Sequence, residues 1–194
     1  MQNYGQAFLN FYNSRMPGHG KENMMFFWKR NESPEAKLKK ADEHYKGGVA
    51  YLQTGQYDKA EKELRNCLSI LEPLTEQHGS RTLQRKLSQT YSMLCVRGLA
   101  VADEKKRSEA VTWAKKAIAI DEKLVEEGGT ADAYDALATS YSNLGAATMN
   151  IELCDKALQI WMKLKEQYPD NPLYAKRVED QQYNNRQLLL KLLR

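Results

Sequence analysis

The chain has 194 residues, 42% hydrophobic and 28% charged, with 29 Lys and Arg against 25 Asp and Glu and a net charge of +4. This is the composition of a globular chain long enough for one packed domain or a short repeat array, and it excludes a disordered one. Gly 11 and Pro 5 are too few for a turn-rich sandwich or barrel, and no apolar run approaches the ~18 residues of a membrane span.

The first residues, Met1-Gln2-Asn3-Tyr4-Gly5, show no basic stretch followed by an apolar one, so no secretory signal is expected. Cys67, Cys95 and Cys154 form no C-x-x-C pair and lie in apolar helical stretches. They read as reduced core thiols in a cytoplasmic protein. Residues 15–46 and 171–194 are each mildly basic, and the middle is close to neutral. No block of five like charges exists, so neither nucleic acid nor a membrane is an expected partner.

Residues 1–32 hold Phe8, Phe11 and Tyr12 and then the run Met24-Met25-Phe26-Phe27-Trp28 before Lys29-Arg30. Such a cluster is rarely left in water. It reads as an aromatic arm or cap, covering the first hairpin or entering a groove. From Ser33-Pro34, a cap followed by proline at the first helical position, the apolar spacing is helical throughout. Gly79-Ser80, Gly129-Thr130 and Asp170-Asn171-Pro172 mark breaks between long segments. Thr54-Gly55, residues 103–107 and Leu144-Gly145 divide those segments in two. The expected helices are 33–54, 56–77, 81–102, 106–127, 131–144, 148–168 and 172–192. The fold is therefore read as all-α: hairpins over 33–77, 81–127 and 131–168, then a capping helix in 172–194.

The hairpins share a pattern. Each second helix holds a small residue, then Leu or Ile, any residue, then Ile, beginning at Cys67, Ala117 and Ala157. Each first helix has a small residue nineteen positions earlier, at Gly48, Gly98 and Ala138. Both series step by 50 and then by 40. In the first hairpin His44, Gly47, Gly48 and Tyr51 are followed by Gly55, Tyr57 and Ala60 at the turn, and then by Cys67-Leu68. In the third, Tyr134, Leu137, Ala138 and Tyr141 are followed by Gly145, with Asn150 in place of a small residue. The second departs most, with Leu94, Gly98 and Val101, then Lys105 and Arg107 at the turn, then Ala110 and Ala117.

Over about residues 41–168 this pattern resembles the tetratricopeptide repeat family. The resemblance implies a helical-hairpin repeat solenoid, in which small residues let helices approach and stacking supplies the core. Steps beyond the family's usual ~34 residues imply lengthened helices. It also implies that the first helices line a concave groove. Carried over by register, the groove residues are Asp42, Tyr45, Val49, Leu52 and Gln53. Ser92, Cys95, Leu99, Ala102 and Asp103 follow, and then Asp132, Asp135, Thr139, Ser142 and Asn143. Some members clamp an acidic C-terminal tail with Lys, Asn and Arg. Here those sites hold Tyr45, Val49, Leu99, Asp132 and Ala136, so an amphipathic or basic-tipped helix or peptide is the expected guest.

No P-loop, dinucleotide fingerprint or nucleophile elbow is present. His19, His44 and His78 lie far apart in sequence and lack metal-ligand spacing. Asp132 and Asp135, one turn apart, could serve as acid and base, but in the first turn of a helix they favour its dipole. The expected function is a non-enzymatic protein–protein interaction scaffold, with no cofactor and no metal. The alternative is a self-assembling, homodimeric regulatory module with nucleic-acid contact through the basic ends. Its signal is the C-terminal run Leu188-Leu189-Leu190-Lys191-Leu192-Leu193. Five leucines in six residues cover more than one face of a helix.

Overall fold

The computed structural model describes residues 32–193, so the aromatic arm lies outside the described residues. The chain divides into two units, residues 1–37 and 38–194, and all packing below is within the second. The described helices are α1 (Pro34–Gln53), α2 (Tyr57–His78), α3 (Arg81–Leu99), α4 (Glu104–Glu126), α5 (Ala131–Thr148), α6 (Ile151–Gln167) and α7 (Pro172–Leu192). No strand occurs among the described residues. The chain is an all-α solenoid of three hairpins and a final helix, as the sequence predicts. The added length lies in the second helices, α2 with 22 residues and α4 with 23.

Side-chain caps open the helices, at Ser80, Thr130 and Asn171 where the sequence places them, and at Asp103 and Asn150 where it expects other starts. Ser80, Asp103, Thr130, Asn150 and Asn171 each accept a backbone N–H from the first turn that follows, satisfying donors that a helix start leaves free. Gly79 closes α2 in the left-handed conformation at φ 55°, which costs glycine nothing.

Two expectations need correction. The expected break at Leu144-Gly145 is absent. α5 runs on to Thr148, and the turn is Met149-Asn150, with Met149 itself left-handed at φ 57°. Gly145 is buried inside the helix, because an added Cβ there would lie 2.5 Å from Cys154 Sγ and 3.0 Å from Asn150 O. Helix continuity prevails over glycine's turn preference where two helices cross this closely.

The second step of the repeat is also longer than 40. Buried positions first recur at 50, as in Gly48 and Gly98, Cys67 and Ala117, or Leu71 and Asp121. From α3 to α5 the step is again 50, pairing Ser88 with Ala138, and from α4 to α6 it is 47, pairing Ala110 with Ala157 and Ala117 with Leu164. The 40-residue match of Ala117 with Ala157 is a slip of seven residues, about two turns, which returns a side chain to nearly the same face.

Three apolar clusters lie along the solenoid. The first joins α2 to α3 through Leu64, Leu68, Leu71, Leu87, Tyr91 and Leu94. The second centres on Ala110, Ala114, Ile118, Leu137 and Leu144. The third gathers Ala138, Ala157, Trp161, Tyr174 and Val178. Between the second and third hairpins the apolar seam also holds a buried polar set. Asp121 is fully buried and accepts from Ser88 Oγ at 2.6 Å and from Ser140 Oγ at 2.7 Å. Burial pushes its carboxyl above the ordinary aspartate range, against the two hydroxyls and the charge of Arg85. A second polar series seats α7. Ser142 donates to Gln181, Gln181 to Asn185, and Asn185 to Asp155, at 2.6, 2.7 and 2.7 Å.

Candidate functional site: a groove at the C-terminal ends of the first helices

The first helices of successive hairpins lie close enough to touch through side chains. Lys86 Nζ is 2.6 Å from Asp42 and Arg85 Nη1 is 2.9 Å from Asp132. Ser92 and Ser140 meet at 3.3 Å. These contacts occupy much of the inner face, so the register-derived residues do not form one continuous surface.

Among the described residues, a groove of about 750 Å³ opens where α3 and α5 end, α4 begins and α7 crosses. Leu99, Val101 and Ala102 supply one wall as α3 ends. Asp103, Glu104 and Arg107 supply the first turn of α4, and Ser142, Ala146 and Met149 come from α5 and its turn. Gln181, Asn184, Gln187, Leu188 and Lys191 of α7 close the other side. Arg107 is already committed, its Nε donating to Ala147 O at 2.9 Å and its Nη2 to Ala146 O at 3.3 Å. It thereby satisfies carbonyls that the end of α5 leaves free. Asp103 caps α4 by accepting Lys106 N at 2.9 Å. Glu104, Asn184, Gln187 and Lys191 are exposed, and none has a side-chain partner among the described residues. The result is an apolar floor with a free polar rim, the general form of a recognition groove.

Of the expected groove residues, the structure brings Leu99, Ala102, Asp103 and Ser142 together here. Tyr45 and Asp42 line a separate recess of about 200 Å³ with Lys46, Cys67, Leu71, Lys86, Gln89 and Thr90. Burial pushes the Tyr45 phenol up. Leu52 packs against the first cluster, Val49 is half-buried beside it in sequence, and Gln53 is exposed at the end of α1.

Cys95, read both as a core thiol and, by register, as a groove residue, is fully buried and so lies in the core rather than on the groove surface. Its thiol donates to Asn143 O at 3.9 Å, and burial pushes its pKa to about 12. Asn143 Nδ2 is itself buried without a partner among the described residues. Asp135 is a structural acceptor, taking Trp161 Nε1 at 2.7 Å and pairing with Arg177 Nε at 3.3 Å. Thr139 Oγ1 donates to Asp135 O at 2.8 Å. Asp132 is held by Arg85, so Asp132 and Asp135 sit in separate ion pairs rather than as one acid–base couple.

The wall supplied by α7 was missed in the sequence, as was Met149. Gln181 and Asn185 look there like part of a solvated polar stretch, yet both are buried. Only their spacing of four, on the face of Val178 and Leu188, marks them as inward.

Among the described residues no group of three His, Cys, Asp or Glu could hold a metal ion. No described helix is long and apolar enough to cross a membrane. His44 is paired with Glu63 at 2.6 Å. The groove is held in place by a solenoid of stacked hairpins, a class of fold whose repeats create extended surfaces.

Comparison with known proteins agrees. Residues 44–70 and residues 130–164 each match the tetratricopeptide repeat, so the chain carries that repeat in these two segments. Over 99 residues, 51% of this chain, it is 31% identical to the histone-binding protein N1/N2 of Xenopus laevis. Over 96 residues, 50% of this chain, it is 34% identical to the nuclear autoantigenic sperm protein of Oryctolagus cuniculus. The matched stretches span 15% and 13% of those two proteins.

Proposed function

We propose that the groove bounded by α3, α4, α5 and α7 binds a helix or extended segment of a protein partner, and that the partner is a histone. The observation that carries the groove is its apolar floor of Leu99, Ala102, Ala146 and Met149 beneath a free rim. Met149 supports it further. A non-glycine residue held left-handed costs about 1–2 kcal/mol, and such strain gathers at functional sites. Asp103 and Glu104 stand at the rim where α3 and α5 end, and helix C-termini favour positive charge. A segment with an apolar face and a basic tip fits both features. The name of the Xenopus relative supplies the histone. The expected site of action is the cytoplasm, while the rabbit relative is named as nuclear. Imaging of the tagged full chain distinguishes the two.

The experiment is titration of the full chain with labelled core histones, for wild type and for Leu99→Arg with Ala102→Arg. Binding that the double substitution weakens by roughly tenfold or more, about 1.4 kcal/mol, supports the proposal. Histone binding that ignores both substitutions overturns the groove, and absence of binding overturns the partner. The same titration with duplex DNA tests the basic ends, since phosphate-driven affinity must fall steeply with salt.

A further inference from the structure

α5 uses two adjacent seams. Leu137, Ser140 and Leu144 face the preceding hairpin, whereas Ala138 and Gly145, each one residue further on, face α6. α7 repeats the first seam with Tyr174, Val178, Gln181, Asn185 and Leu188, all buried. The seam one residue on is Ala175, Glu179, Gln182, Arg186, Leu189 and Leu193. Its spacing of 4, 3, 4, 3, 4 is that of a helix-pairing stripe. In α7 this stripe is open to solvent apart from the half-buried Ala175. Glu179, Gln182 and Arg186 are exposed, Leu189 is 45% exposed and Leu193 is 83% exposed. Glu179 and Arg186 have no partner among the described residues.

We infer that this second seam of α7 is the interface of a two-fold homodimer, with the α7 helix of a second copy lying antiparallel where a following hairpin helix would lie. Charge selects both the occupant and the direction. With the two-fold axis at Gln182, Ala175 of one copy faces Leu189 of the other, small against large, and Glu179 comes within one residue's rise of Arg186, in reach of its long side chain. A parallel pairing would set Glu179 on Glu179 and Arg186 on Arg186, and like charges across a seam oppose association. A two-fold contact is self-complementary and closes on itself, so it yields a dimer and not a fibre. The rigid seating of α7 through Gln181 and Asn185 presents the seam in one orientation. The groove lies on the opposite flank of α7, at Asn184, Gln187 and Lys191, so this inference does not rest on the proposed function.

The test is sedimentation of the full chain over a roughly hundredfold range of concentration, because mass action governs a dimer. Wild type is expected to dimerise. Glu179→Arg alone and Arg186→Glu alone are each expected to weaken the dimer by roughly tenfold, with the double reversal restoring it. Leu189→Glu with Leu193→Glu is expected to leave only monomer while helicity by circular dichroism is unchanged. A wild type that stays monomeric throughout overturns the inference, and so does a dimer indifferent to the single reversals. Failure of the double reversal to rescue, with helicity intact, overturns the antiparallel pairing.

Discussion

Fifty residues apart, the first and second hairpins place different chemistry in the same location. Leu71 on α2 is buried in an apolar cluster, and its equivalent on α4, Asp121, is equally buried. The partners change with it. Asp121 receives Ser88 and Ser140, whereas the matching positions around Leu71 are Leu38 and Thr90. The Thr90 hydroxyl is already donated to Lys86 O at 2.8 Å. A repeat register fixes where side chains meet, and a polar group is tolerated there only as part of a satisfied set.

The sharpest way to break this comparison is to move one residue without its partners. Leu71→Asp should cost about 3–5 kcal/mol, the usual penalty of a buried charge without compensation, read as a fall in urea midpoint. Asp121→Leu alone should also destabilise, leaving two buried hydroxyls without an acceptor. Asp121→Leu with Ser88→Ala and Ser140→Ala should recover to within about 1 kcal/mol of wild type. If Leu71→Asp behaves like a surface substitution, the two positions are not equivalent.

The two glycines of this register sharpen the comparison at smaller scale. A Cβ at Gly98 would lie 2.7 Å from Lys106 O and 2.8 Å from Ala110 Cβ. Neither atom can yield without moving α4. A Cβ at Gly48 would lie 2.7 Å from Leu64 Cγ and 2.8 Å from its Cδ2, and a side chain can shift. Gly98→Ala should therefore cost about 2 kcal/mol by overpacking. Gly48→Ala should cost under about 1 kcal/mol, because alanine's helix preference of about 1 kcal/mol offsets the squeeze. Equal losses in thermal denaturation would show that the contact at Gly98 is not backbone-limited.

The pH dependence of Asp121 follows from its environment. Its folded pKa is raised, chiefly by burial. The carboxyl's contribution to stability is thus fully present below the unfolded value of about 4 and is lost as pH rises through the folded value. Asp121→Asn cannot ionise and loses nothing over that interval. The stability of wild type relative to Asp121→Asn should therefore decline from pH 4 upward, as read from paired urea titrations. A difference that stays flat, or grows with pH, contradicts a raised pKa.

The helices and their caps were legible because spacing and cap chemistry are local. The groove was less so, because it depends on where non-adjacent helices end. Leu99, Asp103 and Ser142, placed by register, line one opening, since they lie on or beside helices whose repeat pattern is clear. Cys95 fails because register gives a position along a helix but not how far the neighbouring helix closes over it. Asp135 fails because its partners Trp161 and Arg177 belong to elements 26 and 42 residues away. The third hairpin misleads most. Gly145 has the sequence of a turn and the location of a helix crossing, and only packing against Cys154 distinguishes the two.

That hairpin carries the smallest predicted effect. α3 and α4 are joined by residues 100–103, but α5 and α6 only by Met149 and Asn150, and the shorter join forces Met149 to φ 57°. Glycine adopts this conformation freely. Met149→Gly should relieve about 1–2 kcal/mol of strain and lose part of that to the greater freedom of glycine in the unfolded chain. The net gain is about 0.5–1 kcal/mol, seen as a small rise in melting temperature. The same substitution removes a side chain from the groove wall. If the strain is kept for recognition, Met149→Gly should be more stable and bind its partner less tightly. A variant more stable and equally tight in binding would assign the left-handed methionine to the short connection alone.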